Sequence, residues 1–255
     1  MKPVLRTVWR VLTAVCILSI SVDTVEAQTG SVNGEWRTYG GDLGSTRYAP
    51  LDQINADNVQ DLRVVWRQST IPFGTRQGNT MRAPGASQNT PLMAGGLLYI
   101  ITGLGMVAAL DATTGALAWY YQFTPGETHD LDDVFESVLI DHGGRRSLFK
   151  MGKLGILWEL DRTTGRFLAA HDLGYQNVLD VDPQTGQTSY RPEMIPRAGI
   201  ELDFCPNFLG IRNWYASAYH PGTGALYIPI HPTCVTGVFT ELEQEVGNNY
   251  YANRG

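Results

Sequence analysis

Apolar residues come in short runs, and two of those runs end in the same polar turn. The stretch AALDATTGALAW (108–119) sets an apolar strand before Asp111-Ala-Thr-Thr-Gly115, and WELDRTTGRF (158–167) repeats the arrangement fifty residues later. In each copy the Asp carboxylate can accept backbone N–H bonds of the turn and the Gly can take a positive φ, which predicts a hairpin. Degenerate copies follow at Asp182-Pro-Gln-Thr-Gly186 and at Tyr219-His-Pro-Gly-Thr-Gly224, the latter leading into the alternating strand Ala225-Leu-Tyr-Ile-Pro229. No window carries a long apolar stripe of period 3.6, so short strands and turns dominate. A unit of about 40–50 residues with one turn signature and one aromatic predicts an all-β chain, a β-propeller of four-stranded blades.

Composition agrees, with 28 Gly and 13 Pro to supply turns. Five of the six Trp lie beyond the N-terminal segment, at 36, 66, 119, 158 and 214, and the last three gaps are roughly one blade each. A plain core role for each Trp is equally compatible with the repeat. Residues 1–27 have the form of an export signal: Lys2, Arg6 and Arg10 precede the apolar run Val11 to Val22, and Val25-Glu26-Ala27 offers small residues for cleavage. The mature chain, residues 28–255, is then expected in the periplasm without a stable membrane anchor. An uncleaved anchor is the alternative, although the run is short for a span of about 20 residues. Cleavage removes Cys16 and leaves Cys205 and Cys234 in an oxidising compartment, where a disulfide is the simplest outcome and two isolated buried thiols the alternative.

A net charge of −6, without any basic stripe, argues against nucleic acid and anionic membrane surfaces as partners. His129, His142, His171, His220 and His231 lack partners at zinc-ligand spacing, and neither a dinucleotide-binding glycine fingerprint nor a serine-nucleophile elbow occurs. The segment richest in chemistry is TPGETHDLDD (124–133), in which five of the seven residues from Glu127 onward are acidic or His. On an extended segment Asp130 and Asp132 would point to one side, close enough to share a hard cation, and one of them could act as a base. A solvated acidic loop is the alternative reading of the same residues.

Four blocks in order resemble the quinoprotein alcohol dehydrogenases, periplasmic eight-bladed propellers that use pyrroloquinoline quinone (PQQ). They are WRTYGGDLGSTRYAPLDQINADNVQDLRVVW from Trp36 to Trp66, WYYQFTPGETHDLDD, GKLGILWELDRTTG, and CPNFLGIRNWYASAYHPGTGALYIP with Cys234 beyond it. The resemblance implies that the turns are tryptophan-docking repeats that lock neighbouring blades. It implies Asp130 as the catalytic aspartate that takes the alcohol's hydroxyl proton while hydride passes to the quinone, with Ca²⁺ or a lanthanide as Lewis acid. Asp130 and Asp132 would be metal ligands, Asp132 matching the extra carboxylate of lanthanide-type members. Lys153 matches the cation beside the quinone oxygens, Asn213 and Trp214 lie where the family contacts the cofactor rim, and Gln88 stands where many relatives place a PQQ-contacting Glu. A small alcohol and a periplasmic cytochrome c are the implied partners.

Departures from the family pattern are as specific. MVAALDATTGALAWYYQ reads as an early blade, yet it runs directly into a motif that relatives reach several blades later. The intervening blades carry the metal-binding Glu and Asn, the adjacent-cysteine disulfide that stacks on PQQ, and the Trp on its other face; this chain has no Cys-Cys pair. At about 50 residues per blade the mature chain supplies four to five blades, whereas the family ring has eight, so the C-terminal blades are also expected to be missing. Three functions stay open: an alcohol dehydrogenase, a non-catalytic propeller serving as a binding or assembly platform in the cell envelope, and an incomplete, inactive form of the enzyme.

Overall fold

The computed structural model describes residues 30–70 and 89–240; the export segment and Gln88 lie outside the described residues. Strands β1 (Leu92–Ala94), β2 (Leu97–Ile101), β3 (Met106–Asp111) and β4 (Leu117–Gln122) form one antiparallel four-stranded sheet. Strands β5 (Ser137–His142), β6 (Arg145–Met151), β7 (Ile156–Asp161) and β8 (Phe167–Asp172) form a second sheet with the same order. Both carry a register shift at the same repeat position, between Ala109 and Leu110 and between Glu159 and Leu160. The remaining strands pair in twos: β9 (Leu179–Val181) with β10 (Thr188–Tyr190), β11 (Glu201–Phe204) with β14 (Val235–Val238), and β12 (Ala218–His220) with β13 (Ala225–Tyr227). The architecture is a partial β-propeller: two complete blades among the described residues, with the two degenerate turn copies heading shorter hairpins.

The turns form for the reason their residues suggest. Asp111 Oδ1 accepts from Thr114 N (2.7 Å) and Thr113 N (3.1 Å), while Gly115, at φ +72°, closes the turn onto Asp111 O. Asp161 and Asp182 repeat this with Thr163 and Thr164, and with Gln184 and Thr185. In the fourth copy His220 Nδ1 takes the carboxylate's place, accepting from Thr223 N at 3.1 Å.

Adjacent blades are locked by tryptophans. The Trp119 indole donates to Arg162 O at 3.0 Å and lies so flat on Gly165 that a Cβ there would sit 2.6 Å from the ring. Trp66 does the same one blade earlier, donating to Ala112 O at 3.1 Å and leaving 2.6 Å above Gly115. The third junction departs from this rule, because the second blade has Ala169 where the first has Trp119. There the Phe167 ring covers Gly186, and Tyr121 donates to Gly186 O at 2.9 Å. Trp158 is not a docking residue. It lies on β7, nearly fully buried against Phe123, Tyr121 and Phe167, so its place in the Trp spacing reflects the core.

Strands β3 and β7 are buried on nearly every residue, since both faces of an inner strand are covered by neighbouring blades, whereas outer strand β4 is largely exposed. The N-terminal segment is fastened over both blades by charge. Buried Arg162 grips Asp141 with both guanidinium arms, Arg37 reaches the same carboxylate at 3.0 Å and Glu35 at 2.5 Å, and Glu35 accepts from Gly95 N. Cys205, directly after β11, is disulfide-bonded to Cys234, directly before β14, and ties that ladder at one end.

Candidate functional site

The acidic segment leaves β4 and reaches β5 through 123–136, and it turns back at Asp130, whose φ of +62° is unusual outside glycine but tolerated by Asp. That turn brings Asp130 and Asp132 to one amine. Lys153 Nζ donates to Asp130 O at 2.6 Å and lies 2.8 Å from Asp132 Oδ2 and 3.5 Å from Asp130 Oδ1. The Lys153 stem is buried against Gly210, where a Cβ would come within 2.4 Å of it. Its backbone donates to Asp132 O at 3.1 Å and accepts from Ile211 N at 2.8 Å. Three segments distant in sequence therefore meet at Lys153. Burial pushes the Asp130 carboxyl up and the Asp132 charge adds to this, against the pull of Lys153.

Behind this cluster lies a buried charged layer that sequence reasoning missed. Asp133 accepts from Thr124 Oγ1 at 2.6 Å and presses on Gly152, where a Cβ would sit 1.7 Å from its Oδ1. Burial raises its carboxyl to about 6 and lowers the equally buried Lys150 to about 7. Lys150 donates to Phe135 O, and Lys150 and Arg212 lie 5.7 and 5.5 Å from the Phe135 ring centroid. Arg212 pairs with Glu136 and donates to Met151 O at 2.7 Å, while Glu136 also accepts from Ser217 N. Asp133 was visible as one more acid in the run; nothing local marked Lys150 or Arg212, whose partners are set by blade packing.

The remaining expected residues sit to one side. Trp214 stands edge-on to Phe135 with centroids 5.2 Å apart, and Asn213 bonds Leu209 O and Trp214 N. Trp214 helps line a cavity of about 180 Å³ together with Tyr39, Asn89, Thr90, Glu136 and Ala216. His129 is buried among Tyr190, Phe204 and Phe239, which lowers its pKa, and it takes no part in the cluster.

The family model for the PQQ-dependent glucose/ethanol/alcohol dehydrogenase β-propeller domain matches residues 36–189, which include both complete blades and the acid–lysine cluster. The chain belongs to this family. Quinohemoprotein alcohol dehydrogenase ADH IIB of Pseudomonas putida is 32% identical over 74% of this chain and 25% of its own length. The dehydrogenase subunit of a quinone alcohol dehydrogenase from Gluconobacter oxydans is 32% identical over 66% of this chain and 22% of its own. The chain thus spans about a quarter of the length of the curated relatives it matches. A europium-containing methanol dehydrogenase superposes with a TM-score of 0.59 at 24% identity, covering 64% of this chain and 33% of that one, which is a likeness of fold. The envelope-scaffold alternative gains nothing from these matches.

Within the quinoprotein dehydrogenase frame, the donor set can be tested against the family's metal and quinone. Among the described residues no group of three or more His, Cys, Asp or Glu side chains could hold a metal ion. Two carboxylates fall short of the six to eight oxygens a hard cation takes. Both already pair with an ammonium, which also donates to Asp130 O. Asn213 is likewise spent on its own loop. As they stand, the described residues do not by themselves fit the family's metal.

Proposed function

We propose that this chain is a quinoprotein alcohol dehydrogenase-like protein that keeps the family's proton acceptor, Asp130, and the neighbouring cation, Lys153, but is an incomplete form that does not by itself bind PQQ tightly or turn over alcohol. The observation that carries this reading is the lock between Lys153 and the two carboxylates, 2.8 Å from Asp132 and 3.5 Å from Asp130. Asp130 retains what a general base needs, a carboxylate with a raised pKa at an accessible turn. Asp132 and Asp130 are the proposed metal ligands, and Lys153, Asn213, Trp214 and Gln88 the proposed cofactor contacts. Asp130, Asp132, Lys153 and Asn213 would have to exchange an internal contact for the ligand, the Trp214 ring is exposed, and Gln88 lies outside the described residues.

A small alcohol is the proposed substrate class and a periplasmic cytochrome c the proposed electron acceptor. Relatives named as quinohemoprotein and quinone alcohol dehydrogenases support the alcohol; the cytochrome rests on the family resemblance. Export by the N-terminal segment is proposed in the same way; no helix of the described residues is long and apolar enough to cross a membrane. Losing a single buried partner commonly costs about 1–3 kcal/mol, so several missing cofactor contacts take a tight site to about millimolar or weaker. Calorimetric titration of the exported chain with PQQ plus Ca²⁺ or a light lanthanide should show no binding at micromolar concentrations, and dye-linked assays no alcohol oxidation above background. Stoichiometric micromolar binding would overturn the proposal.

A further inference from the structure

Lys153 is held from behind by the stretch 207–212. Its backbone oxygen accepts from Ile211 N at 2.8 Å, and its stem lies on Gly210, where a Cβ would come within 2.4 Å of it. Two residues on, Gly155 lies against the Ile211 side chain, which would sit 2.6 Å from a Cβ there. Ile211 is buried, and its neighbour Arg212 donates to Met151 O at 2.7 Å. One short stretch thus grips the turn between β6 and β7 on both sides of Lys153.

That stretch hangs from the disulfide. Cys205 and Cys234, 29 apart in sequence, are joined at the end of the β11–β14 ladder. Just inside the bridge Asn207 N donates to Thr233 O at 2.8 Å, and further along His231 N donates to Ile211 O at 2.6 Å. Cys205 is anchored in turn by Asn177, which accepts from Cys205 N at 2.8 Å and donates its own N–H to Cys205 O at 3.1 Å. Contacts therefore run from the bridge to Ile211, and from Ile211 to the lysine that lies 2.8 Å from Asp132 and 3.5 Å from Asp130. Among the described residues Cys234 is exposed, and its Sγ lies 3.3 Å from the Tyr175 hydroxyl.

We propose that the Cys205–Cys234 disulfide is a redox-sensitive latch on Lys153. Oxidised, it keeps the stretch 207–212 against the lysine stem; reduced by a dithiol, it lets that stretch open and Lys153 leave the two carboxylates. A thiolate of the dithiol attacks Cys234 Sγ, and Cys205 departs and takes up a proton. The second thiol of the reductant then closes on the first, Cys234 departs beside the Tyr175 hydroxyl and takes the other proton, and the reductant leaves as its own disulfide. Strands β11 and β14 keep their backbone ladder, so the opening is local. This inference rests on the geometry of the acid–lysine cluster and is independent of whether the cluster turns over alcohol.

Lysines occur only at positions 2, 150 and 153, so acetylation by an N-hydroxysuccinimide ester, read by peptide mass spectrometry, can follow Lys153 against Lys150, whose amine bonds Phe135 O beneath the second blade. In a Cys16→Ser background, dithiothreitol should raise Lys153 acetylation at least about fivefold relative to Lys150, the factor carried by one lost hydrogen bond. Hydrogen exchange at the Ile211 amide should quicken while the β3 and β7 amides stay protected. Cys205→Ser with Cys234→Ser should show both effects without reductant. Ile211→Ala, kept oxidised, should already label at Lys153 and gain less on reduction, since two changes on one path are not additive. Lys153 labelling indifferent to reduction overturns the proposal. So do an equal rise at Lys150 with loss of β3 and β7 protection, which is global opening, and full additivity of Ile211→Ala with reduction.

Discussion

Blade docking allows a test in which strain and packing separate cleanly. Gly165 and Gly174 share φ +73°, but a Cβ on Gly165 would sit 2.6 Å from two atoms of the Trp119 ring, whereas one on Gly174 would meet nothing within 4 Å. Placing alanine in the left-handed region costs about 1–2 kcal/mol, and that part is common to both sites. Gly165→Ala adds an overpacking cost of about 1–3 kcal/mol, because the methyl must displace an indole held between two blades. If the ring yields, its N–H leaves Arg162 O and a buried donor loses its partner, a further cost of about 1–3 kcal/mol. Urea unfolding followed by tryptophan fluorescence should therefore show Gly174→Ala weaker than the parent by about 1–2 kcal/mol and Gly165→Ala weaker by about 2–5 kcal/mol or more, with similar m-values. Equal losses in the two variants would refute tryptophan docking as a stabilising contact.

Reducing the disulfide, or replacing Cys205 with Ser, should cost about 3–4 kcal/mol by releasing a loop of some thirty residues in the unfolded chain; native thiol titration finding two free cysteines would remove that expectation. The buried Asp133 and Lys150 pair makes a pH prediction with a definite shape. Asp133 is raised to about 6, so the folded state keeps a proton the unfolded chain has released, and its stabilising contribution is lost as pH rises from the ordinary carboxylate range through 6. Lys150 is lowered to about 7, so its contribution is lost as pH falls from the ordinary lysine range through 7. Stability should then dip between those two values, and Asp133→Asn with Lys150→Met should flatten the dip and raise stability there by about 1–4 kcal/mol. An unchanged pH profile of denaturation midpoints in the double variant would count against the pair.

Local chemistry was legible where the residues that act are neighbours in the chain. The Asp-x-Thr-Thr-Gly turns follow from an acceptor carboxylate three residues from its donor and a glycine that closes the turn. Asp130 and Asp132 stood out because they alternate within one loop; in the structure both carboxylates lie against the Lys153 amine, a partner that alternation did not name. Trp spacing was a weaker guide, since Trp158 has the interval of a docking residue but the place of a core residue. The third junction could not be read at all, because it exchanges the indole for Phe167 and Tyr121 from different strands.

Sequence alone therefore determined the strand-and-turn repeat, the blade class, the family and the identity of the acidic loop, all of which depend on interactions spanning a few residues or on ordered motifs. Tertiary structure decided what those parts meet. Lys153 lies more than twenty residues from Asp130, and Arg212 lies 76 residues from Glu136, so no local pattern could announce either pair. Burial made Asp133 and Lys150 consequential, through desolvation that exists only once the blades have closed over them. The pairing of Lys153 with Asp130 and Asp132, which lie on another segment, depends on three-dimensional distance.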